Sequence, residues 1–518
     1  MSPFLYGKHH LTAGLSLSIS RQHKTGELDR AQREKVAASA QIVRNFAKGR
    51  DAVYGINTGF GPLCSTKISP DDTAQLQHNL LMSHSVGVGS PIPQQTAKLM
   101  LILKVHALAQ GFSGISLPTL DRILWHIDQN VIPVVPRQGS VGASGDLAPL
   151  SHLFLPLIGL GQVHYKGQVV PTPEMLQKEG LAPLQLQPKE GLALINGTQF
   201  ITAFGVEVTD RLQACLSQAD LIGGMMIEGL LGSVAPFHPE LHKMRPYKGN
   251  QHVAARIRAL LQGSEILNSH SHCDRVQDPY SLRCIPQVHG ASRNAWLHLR
   301  ETLEIELNSV TDNPIIVNEE LSISGGNFHG QPMALPLDYA CLAASEVGNV
   351  SDRRCYLSLT GIDGAVPKLL MQETGTNSGF MILQYTAAAL ASENKSLCFP
   401  ASADSISTSL GQEDHVSMGS ISGRKALQVV GNLERILGIE LVCAAQAFDF
   451  RRPLKSSPLM ENLHARVREE IAFADKDRVF ATDLDKGAEL VRERALIEVV
   501  KQSSQDIGTE FDSAFENC

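Results

Sequence analysis

Five stretches beyond residue 200 constrain what this chain can fold into. Residues 198–232, 291–310, 333–358, 378–396 and 421–448 are long, rich in Ala and Leu, and apolar around most of their circumference. A helix with one apolar stripe covers a core, whereas a helix apolar on several faces must be enclosed by other helices. Such segments call for a bundle. Aromatic residues make up only 5% of the 518 residues and apolar residues 43%, which favours close helix packing over an aromatic-rich sandwich. Upstream, Val36, Ala37, Ala40, Ile42, Val43 and Phe46 recur at helical spacing within 28–48, and 95–110 and 119–129 read as further helices. Short strands are expected near 52–56 and at 161–170, where Val163, Tyr165, Val169 and Val170 flank a Lys-Gly turn. The expected division is an N-terminal part, 1–200, and a long-helix bundle with a C-terminal helical region, 201–518.

Net charge is −7 without a basic run, so nucleic-acid binding has no electrostatic footprint. No uninterrupted apolar run reaches the roughly 18 residues of a membrane span. Lys8, His9 and His10 precede any apolar run, so no secretory leader is expected. The nine cysteines are scattered, with no Cys-x-x-Cys, which fits a reduced, cytoplasmic protein.

The loops between helices hold the polar clusters, and 139–146 is the most informative: Gly139-Ser140-Val141-Gly142-Ala143-Ser144-Gly145-Asp146. An Ala-Ser-Gly tripeptide can condense on itself. The Gly145 amide nitrogen attacks the Ala143 carbonyl, and loss of two waters leaves a five-membered ring with a methylidene made from the Ser144 side chain. That ring is an electrophile no common side chain supplies. Gly145 lets its nitrogen approach closely and tolerates unusual torsions. Asp146 is placed to polarise or deprotonate. A serine nucleophile elbow needs Gly-x-Ser-x-Gly, and Asp146 breaks that spacing.

Other loops carry their own chemistry. Tyr54-Gly55-Ile56-Asn57-Thr58-Gly59-Phe60-Gly61-Pro62 presents one phenol on a tightly turned segment, and Ser83-His84-Ser85-Val86-Gly87 follows a helix. With these beside the tripeptide, the chain resembles the aromatic amino acid ammonia-lyases. The motifs are Gln138 to His152, Asn196-Gly197-Thr198-Gln199, Arg275 to Cys284, Ser324 to His329, Asn377 to Ile382 and Gln412 to Met418. Their number and order make the resemblance specific, and it runs nearly end to end. Local departures are Arg137, Gly411 where an asparagine is common, and the loose Ala365-Val366-Pro367-Lys368.

The resemblance implies a mainly α fold, an elongated fumarase/aspartase-like bundle of long helices with a smaller N-terminal part carrying the cofactor loop. It also implies a homotetramer with shared active sites, and a 4-methylidene-imidazol-5-one formed autocatalytically from Ala143, Ser144 and Gly145, with no external cofactor or metal. Tyr54 takes the position of the loop base, Asn196 that of the asparagine beside the cofactor, and Gln277, Tyr280 and Arg283 match active-site positions. Phe328 matches the phenylalanine near cofactor and substrate, and Glu413 the acidic residue facing the substrate ring.

Arg283 suits a substrate carboxylate, because its guanidinium fork meets two oxygens and stays charged. A phenol of ordinary pKa is only about 0.1% ionised at pH 7, so Tyr54 as base needs a neighbour that favours the phenolate. Tyr280 is its rival. A carboxylate at Glu413 accepts an imidazole N–H, and against a phenyl ring it would be left unpaired. His84 supports the same ring, less specifically. The expected reaction is therefore elimination of ammonia from L-histidine to trans-urocanate. Attack by the amine or by the ring on the electrophile both remain open. Elimination from tyrosine, or an aminomutase on the same cofactor, is the alternative; a non-enzymatic helical assembly protein is a remote one. His270-Ser271-His272-Cys273-Asp274 has metal-ligand types without the usual zinc spacing, and reads as a polar loop.

Overall fold

The computed structural model describes residues 2–49, 53–59, 68, 70–271, 275–503 and 515, with 70 and 71 described by their backbone alone. The fold is mainly helical. Its longest helices are Gln199–Gly229, Ile285–Leu307, Gln331–Leu359 and Gly419–Asp449. These are the segments whose apolar residues cover several faces. Local signals set the shorter helices. In Arg30–Lys48 the Asp29 carboxylate caps the first turn by accepting from the Gln32 N–H at 2.8 Å, and Val36, Ala40, Val43 and Ala47 form the buried stripe. In Gln94–Leu108 every residue from Thr96 onward is buried, including Lys98, Lys104 and His106.

Two compact units emerge. The first comprises Met1–Glu207, Arg300–Leu337 and Pro400–Arg424; the second comprises Val208–Leu299, Asp338–Phe399 and Lys425–Cys518. Each is thus assembled from stretches far apart in sequence.

The strands are short and lie in the first unit. Gln162–Tyr165 and Gln168–Pro171 form a hairpin in which Tyr165 pairs with Gln168. The two connecting residues, Lys166 and Gly167, both have positive φ, the type I′ geometry that matches the strand twist. Ile132–Pro133 adds the third strand. The strand expected near 52–56 is not one: its described residues, 53–56, form a turn. The Asn57 side chain closes it by accepting from the Val53 N–H at 2.8 Å, and Gly55 sits at φ +69. A small antiparallel pair matters more for function. Val88–Pro91 pairs with Pro136–Gln138, with Val88 opposite Gln138. It joins the segment after His84 to the segment that leads into Gly139–Asp146.

Candidate active site

Three backbone segments of the first unit converge on the tripeptide. Gly145 forms a parallel bridge with Gly197, and the Asp146 N–H donates to the Gly197 carbonyl at 2.8 Å. A Cβ on Gly145 would overlap that carbonyl oxygen, so only glycine fits. Ser144 itself lies at φ +51, a conformation seldom adopted by L-residues outside special sites. The Met418 N–H donates to the Val141 carbonyl at 3.0 Å and the Ser420 hydroxyl to the Ser140 carbonyl at 2.6 Å, which tie down the Glu413 segment. Ala143, Val416 and Met418 share a small apolar cluster beneath it.

The side chains then fall into place. Asn196, the cap of the helix Glu190–Ile195, donates from Nδ2 to the Ser144 carbonyl at 3.1 Å. The Ser144 hydroxyl donates to Glu413 Oε1 at 2.8 Å. The other carboxylate oxygen, Oε2, accepts from Thr408 Oγ1 at 3.1 Å and Ser409 Oγ at 2.5 Å. His84 is half-buried; burial holds its imidazole below the usual range, partly opposed by the Leu80 carbonyl and by the charge of Glu413. Phe328 is half-buried in a loop whose Gly325 N–H donates to Asn313 Oδ1 at 2.8 Å. The next residue, His329, stacks on His415 with ring centres 5.4 Å apart, so the loops carrying Phe328 and Glu413 are joined. Tyr54 is half-buried in the turn closed by Asn57. Its neighbour Gly55 packs so tightly on Leu192 that a Cβ would come within 2.5 Å. That contact ties the Tyr54 turn to the helix that ends at Asn196. Of the same motif, Phe60, Gly61 and Pro62 lie outside the described residues.

Two buried charges stand behind this surface. Asp146 accepts from Ser140 Oγ at 2.9 Å and from the Ile201 N–H at 3.0 Å. Burial still pushes its carboxyl up to about 7, against those hydrogen bonds. Lys104 donates to the Asn196 carbonyl at 2.6 Å and is lowered by burial to about 7, with Asp312 and Asp146 pulling the other way. A carboxyl and an amine of this kind change charge near neutral pH, where a proton is most easily exchanged.

Gln277, Tyr280 and Arg283 belong to the second unit. The helix Tyr280–Arg283 follows Asp278, which is buried and accepts from the Ser233 N–H at 2.6 Å and from Arg275 at 3.2 Å. Leu282 points into the core, and the buried Arg354, paired with Glu440, reaches the Ser281 carbonyl from below at 3.4 Å. Gln277 and Tyr280 are thereby turned outward. The Arg283 guanidinium lies over the Tyr280 ring, 4.6 Å from its centre.

Sequence reading did not single out Lys104, Thr408, Ser409, His329 or His415. A signal existed for three of them: Lys104 interrupts an apolar helix, and the hydroxyls at 408 and 409 sit five and four residues before Glu413. Gly411, the departure from the common asparagine, lies at φ +89, a region both residue types tolerate. In the metal-like cluster, His270 hydrogen-bonds to the Ile266 carbonyl at 2.7 Å, while His272, Cys273 and Asp274 lie outside the described residues. Among the described residues no group of three or more His, Cys, Asp or Glu is arranged to hold a metal, and no helix is long and apolar enough to cross a membrane.

Known proteins share this arrangement of chain. The model of the family described as aromatic amino acid lyase matches residues 11–469. A histidine ammonia-lyase of Myxococcus xanthus is 44% identical over 489 residues, covering 94% of this chain and 96% of the relative. The crystal structure of histidine ammonia-lyase from Trypanosoma cruzi superposes with a TM-score of 0.89 at 41% identity, covering 97% of this chain and 95% of that one. A tyrosine aminomutase from Streptomyces globisporus reaches a TM-score of 0.91 at 32% identity, covering 98% and 100%. A match that spans the tripeptide, Asn196 and Glu413 together, within relatives of nearly equal length, places this chain in the aromatic amino acid lyase family.

Proposed function

We propose that this chain eliminates ammonia from L-histidine to give trans-urocanate. The observation that carries the reading is the Glu413 carboxylate, hydrogen-bonded to Ser144 at 2.8 Å and close enough to His84 to act on its charge. A substrate ring brought to Ser144 meets an anion that needs a hydrogen-bond donor. Imidazole supplies one and benzene does not, and sites of that kind reject the analogue lacking the donor by as much as about 10⁴–10⁵. The relatives named histidine ammonia-lyases, similar over almost their whole length, support the same substrate.

The residues fit a cofactor made in place: a serine held at φ +51, a glycine with no room for a Cβ, and a donor on the serine carbonyl. The methylidene-imidazolone expected from Ala143, Ser144 and Gly145 supplies an electrophile that turns the substrate nitrogen into a better leaving group. Asn196 holds the Ser144 carbonyl oxygen and stabilises negative charge there. Phe328 packs the apolar side of the ring, and Glu413 with His84 orients its nitrogens. Arg283 holds the carboxylate and Gln277 assists it. Tyr54 or Tyr280 removes the β-proton, a contribution of roughly 10²–10⁴-fold for a positioned base.

The protein acts as a cytoplasmic homotetramer in this reading, with sites that combine loops of more than one subunit. Six described cysteines, among them the buried Cys215, Cys341, Cys355 and Cys443, are free thiols, which suits a reducing compartment. Within the second unit Tyr339, Leu342 and Tyr356 form an exposed stripe along one helix, each about half accessible, and such a patch suits burial against another subunit.

The test is the absorbance of a conjugated imidazole acrylate after L-histidine is added, with L-tyrosine and L-phenylalanine in parallel. Urocanate from histidine alone supports the proposal. A hydroxycinnamate from tyrosine, or a β-amino acid product, would replace it with the lyase or mutase alternative.

A further inference from the structure

The hydroxyl of Ser144 is the atom that must leave if Ala143-Ser144-Gly145 is to become an electrophile, and it rests on Glu413. Its oxygen donates to Glu413 Oε1 at 2.8 Å. Two hydroxyls, from Thr408 and Ser409, occupy Oε2, so the second carboxylate oxygen is held and the first is aimed at Ser144. The clamp is built at some conformational cost. Ser409, Leu410 and Gly411 have φ of +50, +57 and +89, three successive left-handed residues of which only one is glycine. The Thr408 N–H donates to the Glu413 carbonyl at 2.9 Å, closing the loop. Asp146, the other carboxyl nearby, is oriented differently: both its oxygens are taken by Ser140 and the Ile201 N–H.

We propose that Glu413 has a task before any substrate arrives: its carboxyl group delivers the proton on which the Ser144 hydroxyl departs. This rests on the reading that the tripeptide matures into a methylidene-bearing ring. The step balances without an oxidant. The Ser144 Cα–H bond breaks, its electrons form the Cα–Cβ double bond, and the Cβ–Oγ bond breaks. The Cα proton passes to water. Glu413, having taken a proton from water, transfers it to Oγ, and one water leaves. The other water comes from ring closure at the Ala143 carbonyl. A residue assigned to substrate recognition is thereby also an acid in the maturation of its own chain, and Thr408 and Ser409 are positioning residues for it.

Intact mass of the full-length chain, followed from refolding onward, tests this. Wild type is expected to settle about 36 Da below its formula mass, two waters lost. Glu413→Gln keeps the size and the clamp but carries no acid, so its maturation is expected to slow by about 100-fold or more. Circular dichroism and a melting temperature near that of wild type check that it folds. Glu413→Ala is expected to mature as slowly, and to be accelerated at least about tenfold by formate, a small acid able to occupy the vacated space. That rescue is a response a purely structural role would not give. Glu413→Gln losing two waters at the wild-type rate would overturn the inference while leaving the proposed reaction standing. An Ala variant indifferent to formate would do the same. A wild-type chain of full formula mass would sink both.

Discussion

Ser144 bonds to Glu413 through its side chain and to Asn196 through its carbonyl, at a backbone angle few serines adopt. Ser144→Ala is expected to retain the formula mass and lose turnover, yet melt close to wild type, because one net hydrogen bond is worth only about 0.5–1.5 kcal/mol. Mass spectrometry with a thermal melt reads both halves. Arg283→Lys replaces a planar fork by a point charge, and a charge-assisted bond lost from a substrate carboxylate costs about 1.5–3 kcal/mol. The expected fall in kcat/KM is about 10- to 100-fold, and steady-state kinetics with L-histidine measure it. Lys104 makes a prediction about pH. Its amine goes from the ordinary 10.5 to about 7 on folding, so between those values the folded chain holds fewer protons than the unfolded one. Stability therefore rises with pH across that window, by at most about 1.4 kcal/mol per pH unit for a single group. Lys104→Met should flatten this rise, as seen in melting temperatures from pH 7 to 10. Asn196, Arg283 and Glu413 could be named as candidates because each sits in a motif, and Asn196 and Glu413 are hydrogen-bonded to Ser144. Lys104 was not, because a lysine inside an apolar helix looks the same in sequence whether its amine reaches solvent or a buried carbonyl.

At the level of elements, pattern and turn chemistry carried most of the information. The long helices are where the Ala/Leu-rich segments place them, with ends shifted by a few residues, because an all-round apolar surface leaves a chain no other way to bury itself. The 161–170 hairpin was legible for a second reason: Lys166-Gly167 suits the positive φ that a two-residue turn requires. The segment near 52–56 misled, since Val53, Tyr54 and Ile56 look like strand residues. There the Asn57 side chain and the Gly55–Leu192 contact win over propensity. The tripeptide loop has the same character, being set by what it touches. Gly142, at φ +80, faces Ser417, whose Oγ a Cβ would overlap. Gly142→Ala should cost about 1–3 kcal/mol, visible in urea denaturation, through backbone strain and overpacking together.

The whole molecule holds what a linear reading reaches last. A single cut near residue 200 follows the change from short to long helices, but packing gathers 300–337 and 400–424 with the first 207 residues. Those two segments carry Phe328 and Glu413, so the proposed chemistry depends on stretches of chain synthesised well after the tripeptide. The exposed stripe of Tyr339, Leu342 and Tyr356 belongs to the same scale. If the proposed homotetramer is right, Leu342→Arg should lower the solution mass to two chains or one and abolish turnover with it; light scattering beside the urocanate assay checks both. The Gly145–Gly197 bridge has a further consequence for anyone wishing to move this chemistry elsewhere. On the proposed maturation, copying the eight residues 139–146 into a foreign host would transfer the tripeptide without the strand that bridges it at Gly197. A working graft has to bring the second glycine strand, and the asparagine beside it, as part of the same transplant.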